Sequence, residues 1–239
     1  MNTQTKTALI TGASRGLGLA LATALAQDGW QLIINARGEA ALQQAHHQLE
    51  RWTTVTAVTG DISQKAHRQA LAVAARAAGG LDLVVNNAGI LGPSPQPALL
   101  DYPLDVLEDV FRVNVIAQLG VLQAVQESLK PNGRILNISS DAAVEPYEGW
   151  GGYGASKAAF EQISAVLAAE LAAQRPDLRV YWVDPGDMRT QMHQAAFPGE
   201  DISDRPLPEA SVPGLLQLIN GEWANGRYQA QNFPVEAAA

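Results

Sequence analysis

The chain has 239 residues and no cysteine, and its 24 acidic residues against 16 basic ones give a formal charge of −8. Hydrophobic residues make up 47% and charged residues 17%, which excludes a disordered chain or a coiled coil and fits one large α/β domain. The acidic balance argues against nucleic acid or an anionic membrane as partner. The missing cysteine excludes disulfides, thiolate metal sites and a thiol nucleophile. The first residues run from polar directly into a strand-like segment, with no basic, apolar leader and no membrane-length apolar run. A cytoplasmic protein is expected.

Thr7–Ile10 is a short β-like run ending at a glycine. Leu17–Gln27 is an Ala/Leu-rich helix, Gln31–Ala36 a strand, Glu39–Arg51 a helix and β-branched Thr54–Thr59 a third strand. Ser63–Ala78 reads as a helix with Ser63 as N-cap, and Leu81–Val85 as a fourth strand. Pro103–Leu129 reads as one long helix, followed by a strand at Arg134–Ile138. Tyr153–Gln174 is a helix stopped by Pro176, and Leu178–Val183 a strand stopped by Pro185. Met188–Pro208 is Pro-rich and charged and reads as a loop, with residues 187–210 as a substrate lid. Val212–Ile219 is a short helix, Tyr228–Ala230 a final edge strand and the terminal Ala run a frayed end. This alternation predicts a Rossmann-type doubly wound parallel sheet of about seven strands, helices on both faces, in a single domain over residues 1–239.

Between the first strand and first helix stands Thr11-Gly12-Ala13-Ser14-Arg15-Gly16-Leu17-Gly18. Glycines there let the backbone approach a pyrophosphate, and the helix N-terminus offers N–H groups and a positive dipole end. The spacing is G-x3-G-x-G rather than G-x-G-x-x-G, but the strand–turn–helix context points to dinucleotide binding. The second strand ends at Ala36-Arg37, where NAD binders place a carboxylate for the ribose 2′-OH. Arg37, with Arg15, instead suits a 2′-phosphate, so NADP(H) is the expected cofactor. Asp61 and Ile62 follow the third strand, where Asp61 would reach the adenine amino group or, equally, serve a helix start. Asn86-Asn87-Ala88-Gly89 follows the fourth strand, with small residues for close ligand approach and Asn to tie strands together.

Tyr153 and Lys157 are one turn apart on one helix face. An ammonium group there, with a cationic nicotinamide, would favour phenolate and lower the tyrosine pKa, suiting it to proton transfer. Ser139-Ser140 closes the fifth strand at the ligand edge of the sheet, and a serine hydroxyl there can hold a carbonyl oxygen. Asn114, amid Val113, Val115 and Ile116, needs a partner. The choices are nearby backbone or a water-bridged link to Lys157.

Together these residues resemble the single-domain branch of the short-chain dehydrogenase/reductase family. The resemblance runs from Thr7 to about Thr190 on TGASRGLG, NNAG, Asn114, Ser with YGASK, and DPG at Asp184–Gly186. It implies Tyr153 as acid/base and Lys157 as a ribose ligand that lowers the tyrosine pKa. Ser140 stands at the family's spacing ahead of the tyrosine and would orient the substrate oxygen, and Asn114 would support a proton-relay water. Pro185, Gly186, Met188 and Thr190 would border the nicotinamide, alongside Gly12, Ser14, Gly16, Leu17, Gly18, Asn87, Ala88 and Gly89. The implied activity is hydride transfer between NADP(H) and a small-molecule carbonyl or alcohol, in a homodimer or homotetramer. The short, Pro-rich stretch beyond Thr190 departs from the family pattern.

A cofactor sensor without turnover would lack Tyr153 or Lys157, and both are present. An isomerase or dehydratase on the same scaffold remains compatible. His46 and His47 read as solvated, without a third ligand for a metal. Trp52, Trp182 and Trp223 read as packing residues, and Tyr147, Trp150, Met192 and Phe197 as pocket residues. Asp141, Glu145, Glu148 and Asp187 read as solvated loop residues, with an acidic pocket mouth as the alternative.

Overall fold

A computed structural model describes residues 5–233. The strands are β1 (Thr7–Thr11), β2 (Gln31–Ala36), β3 (Val55–Thr59), β4 (Leu81–Asn86), β5 (Leu129–Ile138), β6 (Arg179–Asp184) and β7 (Gly226–Gln229). The helices are α1 (Gly16–Gln27), α2 (Glu39–Leu49), α3 (Lys65–Ala77), α4 (Leu104–Phe111), α5 (Gln118–Val125), α6 (Gly151–Gln174), α7 (Gln191–Ala196) and α8 (Val212–Asn220). All strands pair in parallel in the order β3-β2-β1-β4-β5-β6-β7. This is the expected doubly wound, Rossmann-like sheet.

Adjacent strand residues point to opposite faces. Ile10, Ile34, Val85 and Tyr181 therefore pack under α1, α2 and α8. Leu9, Ile33, Val84 and Val180 pack under α3, α5 and α6. A sheet covered on both faces explains why its strands read as near-continuous apolar runs.

Several boundaries differ from the sequence reading. The expected helix Pro103–Leu129 is broken: a π-helical turn, Arg112–Ala117, separates α4 from α5, and a 3-10 turn, Gln126–Ser128, follows α5. The π turn carries Asn114, whose side chain is bonded outside the helix, and such bulges recur at functional sites. β5 begins at Leu129 because its pairing with β4 jumps from Leu81↔Leu129 to Leu83↔Arg134. Pro131, which lacks an N–H, and Asn132, at φ 60°, lie in the excursion. Ser63 is not the N-cap of α3; Gln64 is, and the Ser63 N–H is taken by Asp61 Oδ1 at 2.8 Å. The segment expected to be all loop, Met188–Pro208, contains α7, capped by Thr190 Oγ1 accepting from the His193 N–H at 3.1 Å. The edge strand β7 lies slightly earlier than Tyr228–Ala230, and the terminal Ala run lies outside the described residues. Among the described residues no helix is long and apolar enough to cross a membrane.

Candidate active site

The chain leaves β1 toward β2 and β3, then resumes on the other side of β1 with β4. The crevice at this switch point, outside the strands' carboxyl ends, is where open α/β sheets take ligands. The turns after β1, β4, β5 and β6 carry Gly12–Gly18, Asn87–Gly89, Ser139–Ser140 and Pro185–Thr190 to this edge.

The first turn fits a diphosphate. Gly12 sits at φ +68°, and a Cβ there would meet the Ala88 backbone at 2.9 Å. A Cβ on Gly18 would run into the Gly12 carbonyl and the Asn87 side chain. The N-cap of α1, Arg15, makes no side-chain capping bond, so the first helix amides remain for an anion. Asn87 Nδ2 donates to the Thr11 and Gly12 carbonyls at 2.9 and 3.1 Å, and Thr11 Oγ1 accepts from the Asn87 and Ala88 N–H groups at 3.0 and 3.1 Å. Asn87 and Thr11 thus lock β4 to the glycine turn. The sequence reading placed Thr11 in the glycine turn but not against these amides, because only the fold brings them to its hydroxyl.

Arg37 is exposed just past β2, next to β1. Arg15 is also exposed and donates to Gln191 Oε1 of α7 at 2.6 Å. Ser14 is half-buried in the turn. The Asp61 carboxylate is held below its usual range: the Ser63 backbone and side-chain bonds and the charges of Arg37 and Arg112 outweigh its partial burial. Two expected site residues do not face the crevice with their side chains. Ile62 packs in the core and its carbonyl accepts from Arg68 Nη1 at 2.7 Å, and Leu17, in the first turn of α1, is buried in the core. Both follow from apolar positions next to a helix start, which the core claims.

Lys157 is buried and donates to the Ile138 carbonyl at 2.8 Å, with Nζ 5.5 Å from the Tyr153 ring centre. Burial brings its pKa down to about 8, against the opposing pull of Glu161. Tyr153 is pushed upward, not down as expected: burial dominates, Asp141 and Asp184 add repulsion, and only the Ser140 hydrogen bond acts the other way. Ser140 Oγ donates to Asp141 Oδ1 at 2.9 Å and accepts from the Ala142 N–H at 3.2 Å.

Asn114 is fully buried. Its Oδ1 accepts from the Ile90 N–H at 2.9 Å, and its Nδ2 donates to the Ile90 carbonyl at 2.9 Å and Ser156 Oγ at 3.0 Å. The amide thus bonds to the Ile90 backbone and to the Ser156 hydroxyl. A Cβ on Gly89 would stand 3.2 Å from Asn114 Oδ1 and 4.0 Å from Lys157 Nζ, so the β4 turn, the π turn and α6 meet there.

Beside Tyr153 and Ser140 opens a cavity of about 500 Å³. Tyr147, Trp150, Met192 and Phe197 line it, as do Pro185, Gly186, Met188 and Thr190. Trp150 meets Tyr153 edge-on at 5.8 Å and Phe197 at 5.9 Å. Asp141, Glu148 and Asp187 border it too, joined by buried Asp184 and by His193. Among the described residues, neither Glu145 nor any Lys or Arg lines it. β5 ends at Ile138, so strand alternation does not fix which way Asp141 points.

Away from this edge, Trp182 packs against the core and Trp223 meets Tyr228 and Phe233 edge-on, but Trp223 at 38% and Trp52 at 42% are exposed rather than packed away. His46 and His47 have a third neighbour that the sequence reading missed. Glu50 lies 3.3 and 3.1 Å from their Nδ1 atoms, and its pKa is lowered chiefly by the His47 bond.

Residues 6–201 match the short chain dehydrogenase family. A diacetyl reductase of Staphylococcus epidermidis is 33% identical over 94% of this chain and 86% of its own. A benzil reductase of Saccharomyces cerevisiae is 32% identical over 89% of this chain and 80% of its own. A short-chain dehydrogenase of Escherichia coli complexed with NADPH superposes with a TM-score of 0.85, at 30% identity over 95% of this chain and 96% of that one. By this match over most of its length, and by relatives a third identical along nearly the whole chain, this chain belongs to the short-chain dehydrogenase family of oxidoreductases.

Proposed function

We propose that this oxidoreductase is an NADPH-dependent carbonyl reductase, acting on a neutral or amine-bearing ketone or aldehyde with Tyr153 as proton donor. The observation that carries the reading is the buried Tyr153 hydroxyl beside Ser140, one turn from Lys157, on the wall of an aromatic cavity. The names of the diacetyl and benzil reductases support a ketone substrate. The NADPH complex and the exposed pair Arg15 and Arg37 support the phosphorylated cofactor. We place it in the cytoplasm as a homodimer or homotetramer.

When bound, the nicotinamide supplies or accepts the hydride. Gly12–Gly18 and the amides of α1 hold the diphosphate, Arg15 and Arg37 the 2′-phosphate, and Lys157 the ribose. The turn at Pro185–Thr190 borders the ring. Ser140 turns its hydroxyl from Asp141 to the substrate oxygen. Tyr153, kept protonated by burial, gives its proton to that oxygen. Asp141, Glu148 and Asp187 border the cavity, so a carboxylate-bearing substrate meets repulsion at the mouth.

The test is turnover of diacetyl, benzil and size-matched carboxylate-, neutral- and amine-bearing ketones with NADPH and NADH. The expected result is faster turnover with NADPH, poor use of the carboxylate, and a Tyr153→Phe variant slowed by about 100-fold or more while still binding cofactor. Near-normal turnover by a folded Tyr153→Phe protein overturns the assignment.

A further inference from the structure

The end of β5 is held by a polar group that the proposed chemistry does not use. Arg227, on edge strand β7, gives Nε to Glu161 Oε1 and Oε2 at 3.0 and 3.3 Å, and Nη2 to the Ser140 carbonyl at 3.1 Å. Glu161 in turn accepts the Ser139 hydroxyl at 2.5 Å. Asp184 Oδ2 lies 3.8 Å from the same Nη2, and its Oδ1 takes the Gly186 N–H at 2.9 Å. The side chains are sheltered, at 12% exposed for Glu161, 24% for Arg227 and 6% for Asp184. One guanidinium therefore joins the ends of β5 and β6 to α6, which a planar fork does and a point ammonium does not.

The ladder has stopped where this group takes over. Pairing of β5 with β6 ends at Ile138↔Val183, and the Ser139 N–H makes one more bond, to the Val183 carbonyl at 2.7 Å. Besides Arg227, the Ser140 carbonyl receives only the Ala143 N–H, at 3.2 Å, among the described residues. Glu161 also lies one turn beyond Lys157 on α6, on the same face.

We propose that Arg227 is a positioning residue for Ser140: it grips the Ser140 carbonyl directly, and Ser139 through Glu161, and so fixes the backbone from which the Ser140 hydroxyl projects. This rests on the reading of Ser140 as the group that orients the substrate oxygen. Displacement of such a hydroxyl by a fraction of an ångström lowers the rate without weakening cofactor binding. Nothing in the local sequence pairs Arg227 with Ser140; the pairing of β7 with β6, in which Arg227 lies opposite Trp182, makes the contact.

The experiment is a double-mutant cycle in the full chain with Arg227→Met, Ser140→Ala and both, followed by NADPH oxidation with diacetyl and benzil as probes and by NADPH binding. Arg227→Met is expected to lower kcat by about 10- to 100-fold and to leave NADPH affinity within about twofold. In the Ser140→Ala background the same change is expected to cost less than about threefold, because its route of action is gone. Arg227→Lys is expected to stay nearer the Met variant than the parent. Equal losses in both backgrounds mark a merely structural ion pair and overturn the proposal. Normal turnover by Ser140→Ala overturns the reading of Ser140 and this proposal with it, a result distinct from equal losses. Should Arg227→Met fail to fold, Glu161→Gln carries the same cycle. Independently of turnover, a crystal structure of the Met variant with Ser139 and Ser140 unmoved overturns it.

Discussion

Two side chains set measurable properties by their own environment. Arg37 is exposed and stands past β2 beside the glycine turn. Arg37→Asp puts a carboxylate there, and NADPH affinity is expected to fall by about tenfold or more, roughly 1.4 kcal/mol, while NADH affinity holds or improves. Fluorescence titration with both cofactors checks this; an unchanged preference refutes it. Lys157 answers to pH. With its pKa near 8, the ammonium is present at pH 7 and lost as pH rises through that value. Reductive kcat/KM is therefore expected to fall above about pH 8, by about tenfold per unit. The unfolded lysine keeps its proton to about 10.5, so between these values the unfolded chain binds more protons, and stability rises with pH in that window. Lys157→Met is expected to remove that rise, as urea unfolding across pH would record. The Tyr153–Lys157 step was legible because its spacing is local, and Ser140 through its distance ahead of the tyrosine, a spacing read from the family resemblance. The direction of the Tyr153 shift was not, because burial is decided by α6 lying against the β5 edge.

At the scale of elements, the break in the α4–α5 region carries the most consequence. A continuous helix suits the apolar periodicity, yet Asn114 trades three bonds with Ile90 and Ser156 from a π turn. Asn114→Ala leaves the Ile90 groups unpaired and is expected to cost about 1–3 kcal/mol. The urea midpoint should fall with an unchanged slope, and a loss below about 0.5 kcal/mol would show that water replaces the amide. A second polar tie has the same logic. Asn86 Nδ2 donates to Asn137 Oδ1 at 2.9 Å, and Asn137 Nδ2 to Ser164 Oγ at 2.7 Å, joining β4, β5 and α6 beneath the crevice.

The molecule as a whole leaves apolar side chains in water. Leu99, Leu100 and Leu104, Ile116 and Val166 are exposed, on and near α4, the π turn and α6. These are the helices proposed to join copies of the chain, and the small residues of α6 permit close approach. Light scattering at micromolar concentration is expected to give at least twice the 25.4 kDa of one chain, and Ile116→Lys with Val166→Glu to give the folded monomer. A monomeric parent protein refutes this.

What the sequence by itself determined is everything with a local period or spacing. The strand–helix alternation set the parallel sheet, because each apolar run is too far from the next for a hairpin. The glycine turn, the NNAG turn and the Tyr–Lys step announced their chemistry through residues that act within one turn of one another. The tertiary structure decided what depends on which elements lie side by side. Thr11 serves the β4 turn because β1 pairs with β4. Three loop carboxylates border the cavity because the chain after β5, and the chain after β6, converge on it. Arg227 reaches Ser140 across β6 because the C-terminal segment returns to the sheet as an edge strand. Such contacts join residues distant in the chain, and no periodicity records them, since the free energy that selects them is the burial and pairing of whole elements rather than the preference of any one residue.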